Sequence, residues 1–293
     1  MALLSAIAKA IADATGRQFP LRRGKTVGGG CIHRAMTVEA NDQRFFVKTN
    51  DQSAAPMFAA ESEGLQALAA TEAIRVPAVV ARGESNGEAF LVLEYLDLSG
   101  RPNPAAMGRA LAAAHRAPAP HFGWPRDNYI GATLQLAGED DEWPRFFAQR
   151  RLMPQLEWAR ERGCGRRLYE AGQKLANELQ AFFATYQPQP SLLHGDLWAG
   201  NAAYLPDGTP VIYDPAVYWG DREADIAMTE LFGGFGTPFR DAYEHTWRLD
   251  SGYGTRKMLY NLYHILNHYN LFGGGYASQA EGMVQRLLAE LRS

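Results

Sequence analysis

Within residues 192–215, LLHGDLWAGNAAYLPDGTPVIYDP, the side chains His194, Asp196 and Asn201 stand at the spacing H-x-D-x-x-x-x-N. Asp214 follows thirteen residues after Asn201, directly behind the apolar run Val211, Ile212 and Tyr213. An Asp on a tight loop can accept the proton of an attacking hydroxyl, while an Asn five residues on and an Asp at a strand end hold Mg²⁺ between ATP phosphates. Oxygen donors from two adjacent loops suit that hard cation. The competing reading makes HGD a polar turn and Asp214-Pro215 a strand end. Four specified residue types in one register make such a coincidence rare. The stretch predicts a phosphoryl-transfer site.

The chain before this stretch has to supply the nucleotide contacts. Residues 21–48 read as three short strands, LRRGKTV, HRAMTVEA and QRFFVKT, with turns at Gly28-Gly29-Gly30-Cys31 and Asn41-Asp42. A glycine-rich hairpin lets backbone N–H groups approach triphosphate oxygens without a Cβ in the way. Three glycines alone also describe an ordinary flexible turn. Their place about twenty residues before Lys48 sharpens the signal, because FFVK then resembles the strand lysine that contacts the α and β phosphates. Residues 54–70 predict a helix with Phe58, Leu65 and Leu68 on one face. Of its two central acids, Glu61 borders that stripe and is the predicted partner of Lys48; Glu63 projects about 200° away around the helix. Residues 76–96 predict a strand pair joined at Asn86-Gly87. It ends at Glu94-Tyr95-Leu96, where backbone groups near Glu94 and Leu96 are the predicted purine contacts.

From Asn103 the period becomes helical, in PAAMGRALAAAHRA, WPRFFAQRRLMPQLEWARER and RRLYEAGQKLANELQAFFATY. A β-rich beginning followed by a helix-rich remainder predicts an α+β, two-lobed, protein-kinase-like fold: a small N-terminal lobe over 1–95 and a larger mainly helical lobe over 96–293. HFGWPRDNYIGATLQ, rich in aromatics, Gly and Pro, reads as a long ordered loop. His115 and His121 read as packing or surface residues. Asp225, opening an apolar helix, is expected to brace the catalytic loop. His264 and His268 lie one helical turn apart but lack further ligands at zinc spacing, which favours packing or substrate contact.

Composition removes several other classes. The chain has 293 residues, 46% of them hydrophobic, and a net charge of −3 without any long run of Lys and Arg, so a nucleic-acid footprint is absent. The opening MALLSAIAKAIADATG repeats apolar residues at helical spacing but is broken by Lys9 and Asp13. It reads as an amphipathic helix of a cytoplasmic protein, with no membrane attachment. Two cysteines, Cys31 and Cys164, give neither a disulfide framework nor a metal quartet and indicate a reducing compartment. GGGCIH lacks the G-x-G-x-x-G spacing of a dinucleotide-binding dehydrogenase.

Over nearly its whole length the sequence resembles the fructosamine kinases, the ketosamine-3-kinase family within the aminoglycoside-phosphotransferase-like branch of the kinase superfamily. The segments carrying the resemblance include GGGCIHRA, FFVKTN, MFAAESEGLQAL, FGWPRDNYIGATLQ, LLHGDLWAGN, YDPAVYWGDREADIAMTELFGGF and LYHILNHYNLFGGGY. It implies transfer of the ATP γ-phosphate to the 3-hydroxyl of a ketosamine, either a small molecule or a glycated protein lysine, in a deglycation role. By matching positions, Asp196 is the catalytic base, Asn201 and Asp214 bind Mg²⁺, and Lys48 with Glu61 orients phosphate. Trp198 is the sugar platform, since an indole can cover the apolar C–H face of a sugar. Trp219 and His268 are further substrate-side candidates. The resemblance also implies redox control at Cys31, through a sulfenic acid or a disulfide between two Cys31 residues, and hence a monomer or a redox-linked dimer. Asp214-Pro215-Ala216 replaces the Asp-Phe-Gly of protein kinases and no Ala-Pro-Glu segment follows, so activation-loop control is not expected. Two rival readings are a kinase for another hydroxylated small molecule (an aminoglycoside, choline or a sugar) and a nucleotide-binding pseudokinase. Retention of Lys48, Asp196, Asn201 and Asp214 argues against the second.

Overall fold

A computed structural model describes residues 2–18, 20–27, 32–40 and 43–292 of the chain. The predicted glycine turn, Gly28, Gly29 and Gly30, and Cys31 lie outside the described residues. In chain order the elements begin with α1 (Ala2–Thr15), β1 (Arg22–Val27), β2 (Arg34–Ala40), β3 (Gln43–Asp51), α2 (Ala55–Ala69), β4 (Val79–Ser85) and β5 (Glu88–Glu94). Next come α3 (Pro104–Ala114), β6 (Phe122–Trp124), β7 (Asn128–Ile130), β8 (Thr133–Gln135) and β9 (Gly138–Asp140). The helical run α4 (Trp143–Phe146) and α5 (Met153–Glu161) is joined by a π-helical stretch, Phe147–Leu152, and is followed by α6 (Arg166–Asn177). The remainder is β10 (Pro190–Leu193), β11 (Ala202–Tyr204), β12 (Pro210–Ile212), β13 (Tyr218–Asp221), α7 (Glu223–Leu231), α8 (Thr237–Thr246), α9 (Tyr253–Phe272) and α10 (Tyr276–Glu290).

Two compact units emerge. The first contains the residues up to Asn103 together with Ala203–Asp214, and the second contains Pro104–Ala202 and Pro215–Ser293. Sequence reading divided the chain once, between 95 and 96, whereas these units interleave. The cause lies in the backbone. Ile212 donates its N–H to Arg75 O at 3.0 Å and Gly100 donates to Tyr204 O at 2.9 Å, tying the β11–β12 ribbon to the earlier chain.

In the first unit, five strands form an antiparallel sheet in the order β1-β2-β3-β5-β4. Alternation decides which residues face where. Phe45 and Val47 of β3, Met36 and Val38 of β2, and Phe90 and Val92 of β5 form one apolar face, packed with Ile7 and Ile11 of α1. Lys48 therefore points to the opposite face, beside its cross-strand partners Ala35 and Leu91. Asn86 and Gly87 take φ values of +51° and +77°, the primed turn that a two-residue hairpin requires.

The second unit is mainly helical around a core that includes Trp143, Phe146, Phe147, Tyr218, Tyr260 and Tyr263. The segment expected to be a long loop, residues 121–135, instead contributes β6, β7 and β8. The correction has a physical basis: three-residue strands are too short to show a period in sequence, and they form because partners exist to pair with. β6 pairs with β9 and β13, and β7 with β8. β10 pairs antiparallel with β13, Leu192 facing Trp219 and Leu193 facing Tyr218. Beneath β13, Asp221 accepts hydrogen bonds from Tyr260 at 2.5 Å and Tyr186 at 2.9 Å. Beside it Arg256 pairs with Glu223 at 2.8 Å and Asp250 at 2.7 Å. Among the described residues no helix is long and apolar enough to cross a membrane.

Candidate active site

The first unit brings Lys48, Glu61 and Asp214 together. Lys48 Nζ donates to Glu61 Oε1 at 2.6 Å and to Asp214 Oδ1 at 2.5 Å. Glu61 reaches the lysine because it shares the stripe of α2 that buries Phe58 and Leu65. The two carboxylates differ in solvation: the Glu61 side chain is 11% exposed and that of Asp214 45%. Burial pulls the Lys48 ammonium down, but the charges of Glu61 and Asp214 outweigh it and hold the group above its ordinary range, firmly protonated. Asp214 itself has φ +58°, a backbone conformation few non-glycine residues adopt and one that recurs at functional sites.

Sequence reading missed His33 in this group. Its ring packs on Phe58 with centroids 4.7 Å apart, and Asn50 Nδ2 lies 2.9 Å from its Nδ1. The same amide donates to Ile32 O at 3.2 Å. An amide nitrogen only donates, so Nδ1 accepts and the ring proton sits on Nε2. Burial, followed by the Lys48 charge, lowers His33 to about 4, keeping it neutral. The only sequence signal was its place within GGGCIHRA. At the strand end, Glu94 spends its N–H on Ala78 O at 2.8 Å and pairs its carboxylate with Arg75. Its carbonyl, rather than its N–H, is thus the group that fits a purine contact. Leu96 lies just past β5, in chain without regular structure.

In the second unit, the loop after β10 is held by its backbone. Asp225, in the first turn of α7, accepts the N–H of His194 at 2.7 Å and of Gly195 at 2.9 Å, one on each carboxylate oxygen. Burial pushes this carboxyl up, but hydrogen bonds and nearby imidazoles prevail and hold it below the usual range. Gly195 is required: its φ is +82°, and a Cβ would lie 2.1 Å from Ala216 O. Asp196 donates its N–H to His194 Nδ1 at 3.2 Å. Asn201 donates from Nδ2 to the Asp196 carbonyl at 2.9 Å and to its Oδ2 at 3.3 Å. That orientation leaves the amide oxygen of Asn201 as the atom suited to a cation. Ala216, two residues after Asp214, donates to His194 O at 2.8 Å.

The substrate-side candidates occupy separate surroundings. Trp198 is 40% exposed, and its indole lies over Gly200, where a Cβ would fall 2.2 Å from Cη2. Trp219 is half-buried on β13, on the face opposite Tyr218. His268 belongs to an aromatic cluster with Phe232 at 4.6 Å, Tyr276 at 5.3 Å and Phe272 at 5.6 Å between ring centroids. Its Nδ1 lies 2.8 Å from His264 O. Burial lowers His268, and lowers the fully buried His264 to about 3. Both histidines are packed, and among the described residues no cluster of three or more His, Cys, Asp or Glu could hold a metal ion. The Asn201 amide oxygen in the second unit and the part-exposed Asp214 carboxylate in the first are each of the donor type that Mg²⁺ takes. Tyr263 of α9 lies within electrostatic reach of the loop: Asp196 is among the charges acting on its phenol, behind burial, Arg151 and Tyr218.

Comparison with known proteins places the chain in a family. A family model described as Fructosamine kinase matches residues 3–290. A probable ketoamine kinase of Synechocystis sp. is 46% identical over 286 residues, covering 96% of each chain. The chloroplastic protein-ribulosamine 3-kinase of Arabidopsis thaliana is 40% identical over 282 residues, covering 95% of this chain and 86% of its own. Among solved structures, a Haemophilus somnus protein assigned to the fructosamine-3-kinases superposes with a TM-score of 0.88 at 30% identity, covering 96% of each chain. A thermostable aminoglycoside phosphotransferase APH(4)-Ia variant, in ternary complex with AMP-PNP and hygromycin B, has a TM-score of 0.62 at 15% identity, covering 97% and 98%, a likeness of fold alone. The fold is that of the protein-kinase-like phosphotransferases, and the chain belongs to the fructosamine kinase family.

Proposed function

We propose that the protein transfers the γ-phosphoryl group of ATP to the 3-hydroxyl of a ketosamine, the Amadori-type adduct of a sugar on an amine. The observation carrying this reading is the bonding around Asp196: Asp225 clamps the backbone before it, and Asn201 engages both its carbonyl and its carboxylate. Asp196 accepts the hydroxyl proton while the oxygen attacks γ-phosphorus; the bond to the bridging oxygen breaks and ADP leaves. Lys48, oriented by Glu61, binds α and β phosphate oxygens. Asn201 and Asp214 offer the oxygen ligands for Mg²⁺, which when bound neutralises charge on the phosphates. The exposed indole of Trp198 gives the sugar ring an apolar surface. The names of the ketoamine and ribulosamine kinase relatives support the acceptor, and AMP-PNP in the phosphotransferase of like fold supports the donor.

Phosphate at position 3 makes the adduct prone to elimination, so the amine is released and the reaction serves deglycation. A cytoplasmic location fits an enzyme with two cysteines and an ATP requirement. The test is ATP turnover against ribulosyl-lysine, fructosyl-lysine, an aminoglycoside and choline, with the product's phosphorylated position read by phosphorus NMR. Turnover of both ketosamines below that of the aminoglycoside or choline, or phosphate at a position other than 3, would overturn the reading.

A further inference from the structure

The loop bearing Asp196 is gripped on a second side, by the backbone of residues 216–217. Ala216 donates its N–H to His194 O at 2.8 Å, and its own carbonyl oxygen sits so close to Gly195 that a Cβ there would lie 2.1 Å from it. One residue therefore sets two consecutive positions of the loop, just ahead of Asp196. What holds Ala216 is a hairpin from much earlier in the chain. β7 and β8 pair in a register that stands Asn128 directly opposite Gln135. Gln135 Nε2 donates to Ala216 O at 3.0 Å and to Asn128 Oδ1 at 2.7 Å, and Asn128 Nδ2 donates to Val217 O at 2.5 Å. Gln135 Oε1 accepts the Tyr263 hydroxyl at 2.8 Å.

The orientation of both amides follows from what each group can do. A backbone carbonyl only accepts, so the nitrogen of each side chain faces residues 216–217 and the oxygen faces away. Both amide protons of Gln135 and its carbonyl oxygen are thereby used, and the side chain is 2% exposed. Arg151 pins the same two segments one residue further along: its Nη1 donates to Leu136 O at 2.9 Å, and its guanidinium lies 4.1 Å over the Tyr218 ring. We infer that Gln135 is a positioning residue of the phosphoryl-transfer site: it fixes the Ala216 carbonyl, Ala216 fixes the His194–Gly195 backbone, and Asp196 is aimed by it. This inference rests on Asp196 being the base. A buried carbonyl deprived of its donor is costly and shifts to find another, and this one cannot shift without disturbing the glycine packed against it.

The test compares Gln135→Met, which keeps the length of the side chain and loses both donors, with Ile130→Ala, which hollows the core beside the same hairpin and removes no bond to Ala216. Both should lower the melting temperature. Gln135→Met should also lower kcat about 10–100-fold, the effect of displacing a reacting group by an ångström or less, with the KM for ATP within about 2-fold of the parent. Ile130→Ala should leave kcat within about 2-fold. In an Asp196→Asn background, Gln135→Met should cost less than about 3-fold more, since there is no base left to aim. Asn128→Ser, which loses the bond to Val217 but leaves Gln135 on Ala216, should lower kcat about 3–10-fold, and it decides the matter where Gln135→Met does not fold. Comparable kcat losses in Gln135→Met and Ile130→Ala, an unchanged kcat in Asn128→Ser, or a full multiplicative loss in the Asp196→Asn background each overturn the inference. Should Asp196→Asn retain turnover, the base is misassigned, and the comparison of Gln135→Met with Ile130→Ala alone decides whether Gln135 acts on the reaction.

Discussion

Glu61 and Asp214 grip the same ammonium from environments that differ in solvation, so replacing them should give opposite rankings for stability and for catalysis. Glu61 is nearly buried, and removing its charge leaves Lys48 with a single partner that is itself 45% exposed. Breaking a fully buried pair costs about 3–5 kcal/mol, and an exposed pair is worth about 0–1 kcal/mol. With one partner remaining, Glu61→Gln should fall between, at roughly 2 kcal/mol. Asp214→Asn should cost about 0.5–1 kcal/mol after solvent screening, and it also relieves the repulsion between the two carboxylates. With a urea m-value of roughly 2–3 kcal/mol/M, the midpoint should shift by about 0.7–1 M for Glu61→Gln and by about 0.2–0.5 M for Asp214→Asn. Turnover should rank the other way. Glu61→Gln leaves Lys48 charged and should lower kcat/KM about 10–100-fold, while Asp214→Asn removes a metal ligand and should suppress turnover further and alter its Mg²⁺ dependence. All six tryptophans, at 124, 143, 158, 198, 219 and 247, belong to the second unit, so far-UV circular dichroism is the signal that includes the first unit. If Asp214→Asn proved at least as destabilising as Glu61→Gln, the screening argument would fail. If the Mg²⁺ dependence were untouched, its assignment as a ligand would fail.

Replacing Asp196 by Asn preserves shape and removes the base, so single-turnover rates should drop at least ~100-fold while equilibrium ATP binding survives; near-parental rates would remove Asp196 from the mechanism. Trp198→Ala should raise the ketosamine KM several-fold and leave the ATP KM within about 2-fold. Equal damage to both substrates in steady-state kinetics would make the indole a structural group. His264 stays neutral in the folded state, at about 3 against an unfolded 6.5, so the unfolded chain binds more protons between those values and stability rises with pH there. Its contribution is whole above pH 6.5 and is lost as pH falls toward 3. Unfolding free energies from urea titrations at pH 7 and pH 4.5 should therefore differ less in His264→Phe than in the parent, by about 2 kcal/mol; parallel curves would show that another group sets the acid limb.

Much of this molecule could be read before its coordinates, because the readable parts are those where one residue type has one job. Alternation in QRFFVKT put Lys48 on the face away from Val47, and helical spacing put Glu61 rather than Glu63 beside it; the ion pair follows from those two periods. Asp225 could be anticipated as a brace because an acid opening an apolar helix needs buried donors. What stayed hidden depends on residues far apart in the chain. His115 meets Asp225 across 110 positions and Tyr243 across 128, and nothing local distinguishes such a histidine from a packing residue. His33 gains meaning only once Asn50 and Phe58 are beside it. The strands β6 to β8 were mistaken for loop because aromatic and glycine content reflects their crowded setting, not a period.

The interleaving of the two units has a consequence for biosynthesis. Asp214 is the last residue of the first unit, and it is made 111 residues after Asn103, where the unit's main segment ends. At roughly 5–20 residues per second, translation leaves an interval of roughly 6–22 s in which the five-stranded sheet exists without β12 and Lys48 has only Glu61 to neutralise it. A nascent chain in that interval carries the lysine and its helix partner but no Asp214. A fragment ending at Asn103 would be frozen in the same condition, and proteins of this design are not divisible at their first apparent boundary.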